Sequence, residues 1–308
     1  MPESTRRIGY LGPHGTFTEE ALLTQSDLAN QELVPMRTFV DVLMATEAGE
    51  IDLGFVAIEN AIEGTVNVTL DTLAFDTDLL IQREVVFDIE MNLMAKPGTT
   101  LSDITLISSH PVANAQCRNF LRRELGDIDV KPANSTAEAV EMASLNDGMA
   151  ALGTGLAGER YGLEIIERNV ADHPDNQTRF LLVGSEGIPH QSRHDRTTVV
   201  ITQREDKPGS LVAILEEFAA RSLNLSKLVS RPVKTTLGQY CFIVDIDGHI
   251  ADDVTADCLR AIRAKHADVK FLGSYPAAGK GSTEVRTAAD AAWTEATDWM
   301  LSLRKQIR

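Results

Sequence analysis

Residues 53–65 read LGFVAIENAIEGT. The first six form a continuous apolar run, the pattern of a strand buried on both faces in a parallel sheet covered by helices. The run breaks at the polar, glycine-containing ENAIEGT, and a helical stretch, VNVTLDTLAF, follows. The same order of strand, loop and helix recurs outward from here, from about residue 6 to residue 190. RIGYLG is a strand broken by GPHG, and TFTEEALLTQ is the next helix, with Thr16 and Glu19 at capping-box spacing. ITLISSHP repeats the pattern, with Pro111 suited to the first position of a helix. Ser135 and Glu138 form another capping box ahead of AEAVEMASL. This is α/β architecture, in which ligands sit beyond the carboxyl ends of the strands.

A second unit begins after the polar linker GIPHQSRHD, residues 187–195. RTTVVITQ, LVAILEEFAARS, LNLSKLVSRP, QYCFIVDIDGH, ADDVTADCLRAIRAKH and DVKFLGSY read as β, α, β, β, α and β, with KTTLG as the turn between the middle strands. That order is the ferredoxin-like split unit. PAAGKGS then leads into a last helix. Val285, Ala289, Ala292, Trp293, Ala296, Trp299 and Leu303 share one of its faces, which is expected to dock on the body of the protein or on a partner subunit.

The 308 residues suffice for two or three domains. With 29 basic and 45 acidic residues the formal charge is −16. Nucleic acid and anionic membrane are therefore not expected partners, since both are bound through Lys and Arg clusters. Cys117, Cys241 and Cys258 are odd in number and widely spaced, which fits reduced core thiols and a cytoplasmic chain. No apolar run approaches the ~20 residues of a spanning helix, and MPESTRRIGYLG does not read as a signal peptide.

LGTGLAG places Gly153, Gly155 and Gly158 as GxGxxG, but the helix after it is too short for a dinucleotide crossover. No metal-ligand spacing and no Walker lysine occurs. The loops GPHGT, ENAIEGT, SSHP and NST all fall between a strand and a helix. Their backbone N–H groups converge on a site for a small carboxylate. Local donors act at hydrogen-bond range, whereas the overall field is screened beyond ~8 Å.

In sequence order, GPHGTFTEEA, IENAIEGTV, SHPVANAQC, NSTAEA and NQTRF are followed by KPGSLV and LVSRP. Over residues 6 to about 276 the chain resembles prephenate dehydratase with a C-terminal ACT regulatory domain. The resemblance implies a catalytic domain over 1–190, two-lobed like type II periplasmic binding proteins, with lobes of about 1–82 with 168–190, and 83–167. It further implies an ACT domain over 191–276 and a linker and helix over 277–308. Implied too are conversion of prephenate to phenylpyruvate, water and CO2 without metal or cofactor, a homodimer or homotetramer, and feedback by phenylalanine. Ala61 stands where the family commonly has Ser, and Val229 replaces the Glu of its ESRP segment. Binding of the effector is expected to persist, with altered coupling.

Within that frame Thr178 is the candidate to assist departure of the ring hydroxide and Arg179 to grip the side-chain carboxylate. Neighbours on a regular strand point to opposite sides. Either the backbone bends here, or only Thr178 and Phe180 line the cleft while Arg179 braces the lobe from behind. Thr16, Glu59, Asn60, His110, Ser135, Thr136, Gln177 and Phe180 are expected around the substrate, with His110 not the essential acid. Gly209, Ser210, Leu211 and Val212, with Ser230, Arg231 and Pro232 from a neighbouring chain, are expected around the effector. Arogenate or dual-specificity cyclohexadienyl dehydratase is the alternative within the class, and a non-catalytic amino-acid sensor is the alternative outside it.

Overall fold

The computed structural model describes residues 5–185, 187–192, 194–205, 207–233, 239–278 and 283–306, and side chains in the last segment from Trp293 on. The expected KTTLG turn and the face positions Val285, Ala289 and Ala292 lie outside what is described. Two compact units divide the chain: one holds residues up to Thr72 and Val85–Leu182, the other Leu73–Glu84 and everything from Val183.

In the first unit, β1 (Arg7–Leu11), α1 (Phe17–Leu23), β2 (Glu32–Met36), α2 (Phe39–Glu47) and β3 (Leu53–Asn60) alternate as expected. β1 lies parallel between β2 and β3. The apolar run in β3 is buried from Leu53 to Ile58. ENAIEGT is not an open loop. β3 runs on through Asn60 and folds back as a hairpin on β4 (Gly64–Thr65), with Asn60 opposite Gly64. Gly64 sits at φ +79°, which L side chains rarely adopt. α3 (Asn67–Asp71) and a π turn lead to β5 (Leu80–Asp88).

The chain then crosses to a second sheet, built from β6 (Asn92–Ala95), β7 (Leu106–Ser109), α4 (Pro111–Gln116), α5 (Arg118–Leu125), β8 (Asp129–Pro132), α6 (Thr136–Leu145), β9 (Met149–Gly153), α7 (Gly155–Tyr161) and β10 (Glu164–Glu167). It returns as β11 (Gln177–Gly184). The first sheet has the order β2-β1-β3-β11-β5 and the second β10-β6-β9-β7-β8. The whole of β5 belongs to the first sheet, so the outward crossing follows Asp88 and not residue 82. These are the two α/β lobes that the resemblance implies. Phe55 of β3 and Phe180 of β11 stack with centroids 5.0 Å apart, fixing the strand that carries Thr178. Such a pair contributes ~0.5–1.5 kcal/mol beyond its buried area.

The second unit contains β12 (Asp195–Gln203), α8 (Ser210–Ala219), β13 (Leu225–Pro232), β14 (Tyr240–Asp247), α9 (Asp253–Lys265) and β15 (Ala267–Pro276). They form an antiparallel sheet in the order β13-β14-β12-β15 with both helices packed on one core. This is the expected βαββαβ unit. Segment 73–84 joins it through an ion pair between buried Glu84 and half-buried Arg196, and through Gly273, where a Cβ would lie 2.7 Å from the Ile81 carbonyl. α10 (Thr283–Arg304) packs on α9, and Trp293 rests on the same core beneath Arg221. The face is only half docked: Trp299 and Leu303 are exposed. All three cysteines are buried and in no disulfide. Among the described residues no helix is long and apolar enough to cross a membrane.

Candidate active site

Between the two lobes of the first unit lies a cleft of about 830 Å³. Its walls are the ends of strands and the starts of helices. Thr16 caps α1, His110 caps α4 with Pro111 in the first turn, and Ser135 caps α6. These three line the cleft together with Asn60, Thr136, Thr178 and Phe180, as the loop arrangement predicts. The His110 ring itself caps the helix: Nδ1 accepts from the Val112 N–H at 3.4 Å.

β11 answers the question raised by its adjacent Thr and Arg. Thr178 and Phe180 line the cleft, and Arg179 between them does not. Its guanidinium lies 3.7 Å from the Glu59 carboxylate. Glu59 and Gln177 are likewise off the lining; Gln177 donates to Asp88 at 2.7 Å. Arg179 and Glu59 thus brace the strand ends, as alternation along a strand requires.

Thr178 is 8 % exposed, and its Oγ1 accepts a hydrogen bond from Asn60 Nδ2 at 2.9 Å. The direction of that bond follows from the hairpin. Asn60 Oδ1 accepts from the N–H groups of Ile62 and Glu63, both at 2.9 Å, so the amide nitrogen must face the threonine. That bond uses one of the oxygen's two lone pairs, and since Asn60 is the donor there the hydroxyl proton points elsewhere. Sequence reasoning did not assign Gln116, Asn176, Glu63 or Arg37, all of which line the cleft. Gln116 and Asn176 stand inside quoted motifs, but an amide's role depends on what meets it in space. The ionisable side chains of the lining are Arg37, His110, Glu63, Glu138 and Glu141.

In the second unit Gly209 caps α8 at φ +90°, a conformation that favours glycine. The Ser210 hydroxyl donates to the Lys207 carbonyl at 2.7 Å and accepts the Lys207 N–H at 3.0 Å, so it closes the loop on itself. Leu211 packs on the domain core and Val212 is exposed. Ser230 and Pro232 are exposed on β13, an edge strand, with Arg231 half-buried between them.

A family profile described as prephenate dehydratase matches residues 8–188, and one for the ACT domain matches 197–264. The chain belongs to the prephenate dehydratase family. A prephenate dehydratase of Mycolicibacterium gilvum is 38% identical over 309 residues, covering 97% of this chain and 98% of the relative. The crystal structure of prephenate dehydratase from Arthrobacter aurescens in complex with L-Phe is similar with a TM-score of 0.87 and 39% identity, over 97% of this chain and 99% of that one. A quorum-quenching acylase shares the architecture at 28% identity and a TM-score of 0.78, over 89% of this chain and 98% of its own. The function is that of a prephenate dehydratase carrying an ACT domain.

Proposed function

We propose that the cleft acts as a carbon–oxygen lyase on prephenate, with Thr178 assisting the leaving hydroxyl. In the reaction the ring C–O bond and the ring–carboxylate bond both break. The electron pair of the latter enters the ring, CO2 departs, and the hydroxide takes up a proton as water. Aromatisation drives the step, so the site mainly positions the substrate and stabilises charge on the departing oxygen. The observation that carries the reading is the Asn60 N–H on Thr178 Oγ1, which turns the hydroxyl into a directed donor. A threonine hydroxyl is a weak acid, so its contribution belongs near the low end of the ~10²–10⁴-fold range for general acids.

With Arg179 turned to Glu59, the cation available to a substrate carboxylate on the cleft lining is Arg37, assisted by the first-turn N–H groups of α6. Prephenate and arogenate differ only in the keto or amino group of the side chain, so assays on both substrates decide the preference. The decisive measurement is kcat for phenylpyruvate formation. Thr178→Val is expected to lose about a hundred-fold and Thr178→Ser much less. Retention of most of kcat by the Val variant would remove Thr178 from the mechanism.

The L-Phe complex of the Arthrobacter relative supports phenylalanine as the effector of the ACT unit. Exposed Leu228, Ser230 and Pro232 on edge strand β13 support pairing of two such units in a homodimer or homotetramer. Three buried thiols outside any disulfide support a cytoplasmic location. A phenylalanine titration, read by calorimetry for binding and by initial rate for effect, tests the regulation. Absence of heat at millimolar phenylalanine in active protein would reduce the ACT unit to an assembly module.

A further inference from the structure

Behind Thr178 the polar side chains close into a ring. Gln116 Nε2 donates to Glu63 Oε1 at 3.2 Å, Asn176 Nδ2 donates to Gln116 Oε1 at 3.2 Å, and Asn60 Nδ2 donates to Asn176 Oδ1 at 2.8 Å. The Glu63 N–H donates to Asn60 Oδ1 at 2.9 Å and completes it. Asn176 and Gln116 are 2 % and 8 % exposed, so water does not substitute freely for either partner.

The ring has one sense only. A carboxylate accepts and cannot donate, so Gln116 must turn its N–H to Glu63 and its oxygen to Asn176. Asn176 must then donate with its nitrogen and accept with its oxygen, which receives one N–H of Asn60. The other Asn60 N–H goes to Thr178 Oγ1 at 2.9 Å, closer than the Gln177 carbonyl at 3.3 Å from the same nitrogen. A backbone N–H pins the far end, so neither end permits reversal.

We propose that Asn176 is a positioning residue: by closing the ring it holds Asn60, whose sense the hairpin N–H groups fix, at the place where its second N–H meets Thr178 Oγ1. It stands on the segment returning from the second lobe, between Gln116 on α4 and Asn60 on the β3–β4 hairpin. Because Gln116 belongs to one lobe and Glu63 and Asn60 to the other, the ring closes only when the lobes hold this arrangement. Preparation of the hydroxyl is thereby tied to the state of the cleft. The inference rests on the assignment of Thr178 above.

The test moves the carboxylate around the ring. Asn176→Asp removes the donor to Gln116 and forces that amide to turn, so its oxygen meets Glu63. The expected result is a fall in kcat of at least ten-fold with KM changed less than three-fold. Combining Asn176→Asp with Glu63→Gln puts the acceptor-only group at 176 and a donor at 63, so every bond regains a partner. That double variant is expected to recover at least ten-fold in kcat over the single one. Loss of packing alone would not be rescued by a second change elsewhere in the ring. Thermal melts of all variants confirm that folded protein is compared. In a Thr178→Val background, Asn176→Asp is expected to have less than a three-fold further effect. Unchanged kcat in Asn176→Asp, or a double variant no better than the single, would overturn the proposal. If Thr178→Val itself retains full activity, the failure lies with the threonine and not with the ring.

Discussion

Glu19 and Glu138 each stand three residues after a helix N-cap, the spacing that places a carboxylate over the cap's own N–H. Each reaches one residue further. Glu19 accepts the N–H of Gly15, and Glu138 that of Asn134 at 2.7 Å, while Thr16 and Ser135 cap as expected. Sequence spacing cannot separate two adjacent N–H groups, so it located these helix starts without the carboxylates' real targets. Glu19 also meets His14 Nδ1 at 2.9 Å, and the same ring nitrogen lies 2.7 Å from the Tyr10 hydroxyl. Burial acts to raise the Glu19 pKa, but the bonds from Gly15, His14 and Tyr10 outweigh it and hold the group below its ordinary range. A group lowered in the folded state contributes stability above its unfolded pKa and loses it as pH falls through the folded value. Glu19→Gln is expected to cost about 1.5–3 kcal/mol in urea unfolding at pH 7, with the gap to the parent narrowing on acidification. An equal gap at pH 7 and pH 3 would show that the charge plays no part. Thr178 and Phe180 were legible because strand alternation puts both on one side, and the same rule left Arg179 open until Glu59 was seen beside it.

Among the elements, β3, α1, α4 and α6 were readable because each couples an apolar period to a terminal signal. α7 shows why a motif needs its surroundings. Two glycines of the motif serve packing: a Cβ at Gly158 of α7 would lie 2.6 Å from Met94 Sδ, and one at Gly153, the last residue of β9, 2.8 Å from Val140 Cγ2. The hairpin at ENAIEGT leaves no mark in the sequence, because its return strand is two residues long, below any periodic signal. On α8, Glu217 gathers Arg221 at 2.7 Å, Lys265 at 2.9 Å and His266 at 3.1 Å, tying this helix to α9. Hydrogen bonds from Arg221, then Lys265 and His266, pull its carboxyl down to about 2. The stability it contributes is present above the ordinary carboxylate range and is lost as pH falls from about 4.5 towards 2. The ACT unit of a Glu217→Gln variant is expected to melt lower than the parent at pH 7 and to converge with it near pH 2, followed by differential scanning calorimetry. Parallel melting curves across that window would rule out the cluster as the acid-sensitive part.

At the scale of the molecule, a dianionic substrate approaches a protein of formal charge −16. The cleft lining adds Glu63, Glu138 and Glu141 against Arg37. The Arg37 side chain is 93% exposed and 3.8 Å from Asp41, a loose pair that leaves it free to turn towards an incoming carboxylate. A unit charge at contact in water amounts to about 1 kcal/mol, so Arg37→Gln is expected to raise KM roughly five-fold at low ionic strength. The difference should shrink in 0.5 M salt, with kcat altered less than KM. A KM increase independent of salt would point to a shape effect instead. Net charge was plain in the sequence, but the cation beside the cleft was not, since Arg37 follows a strand with no motif around it.

The buried thiols bear on how this chain can be watched. Burial, reinforced by Asp172, pushes Cys117 up to about 12, and burial likewise drives Cys258 to about 12. A thiol-labelling reagent needs a thiolate within reach, so the closed fold offers these two almost none. Cys117 lies in the core of the second lobe, and Cys258 in that of the ACT unit, where Cys241 is also buried. Alkylation followed peptide by peptide would therefore time the transient opening of each region separately. No probe has to be engineered in: the chain carries reporters for its catalytic and regulatory parts.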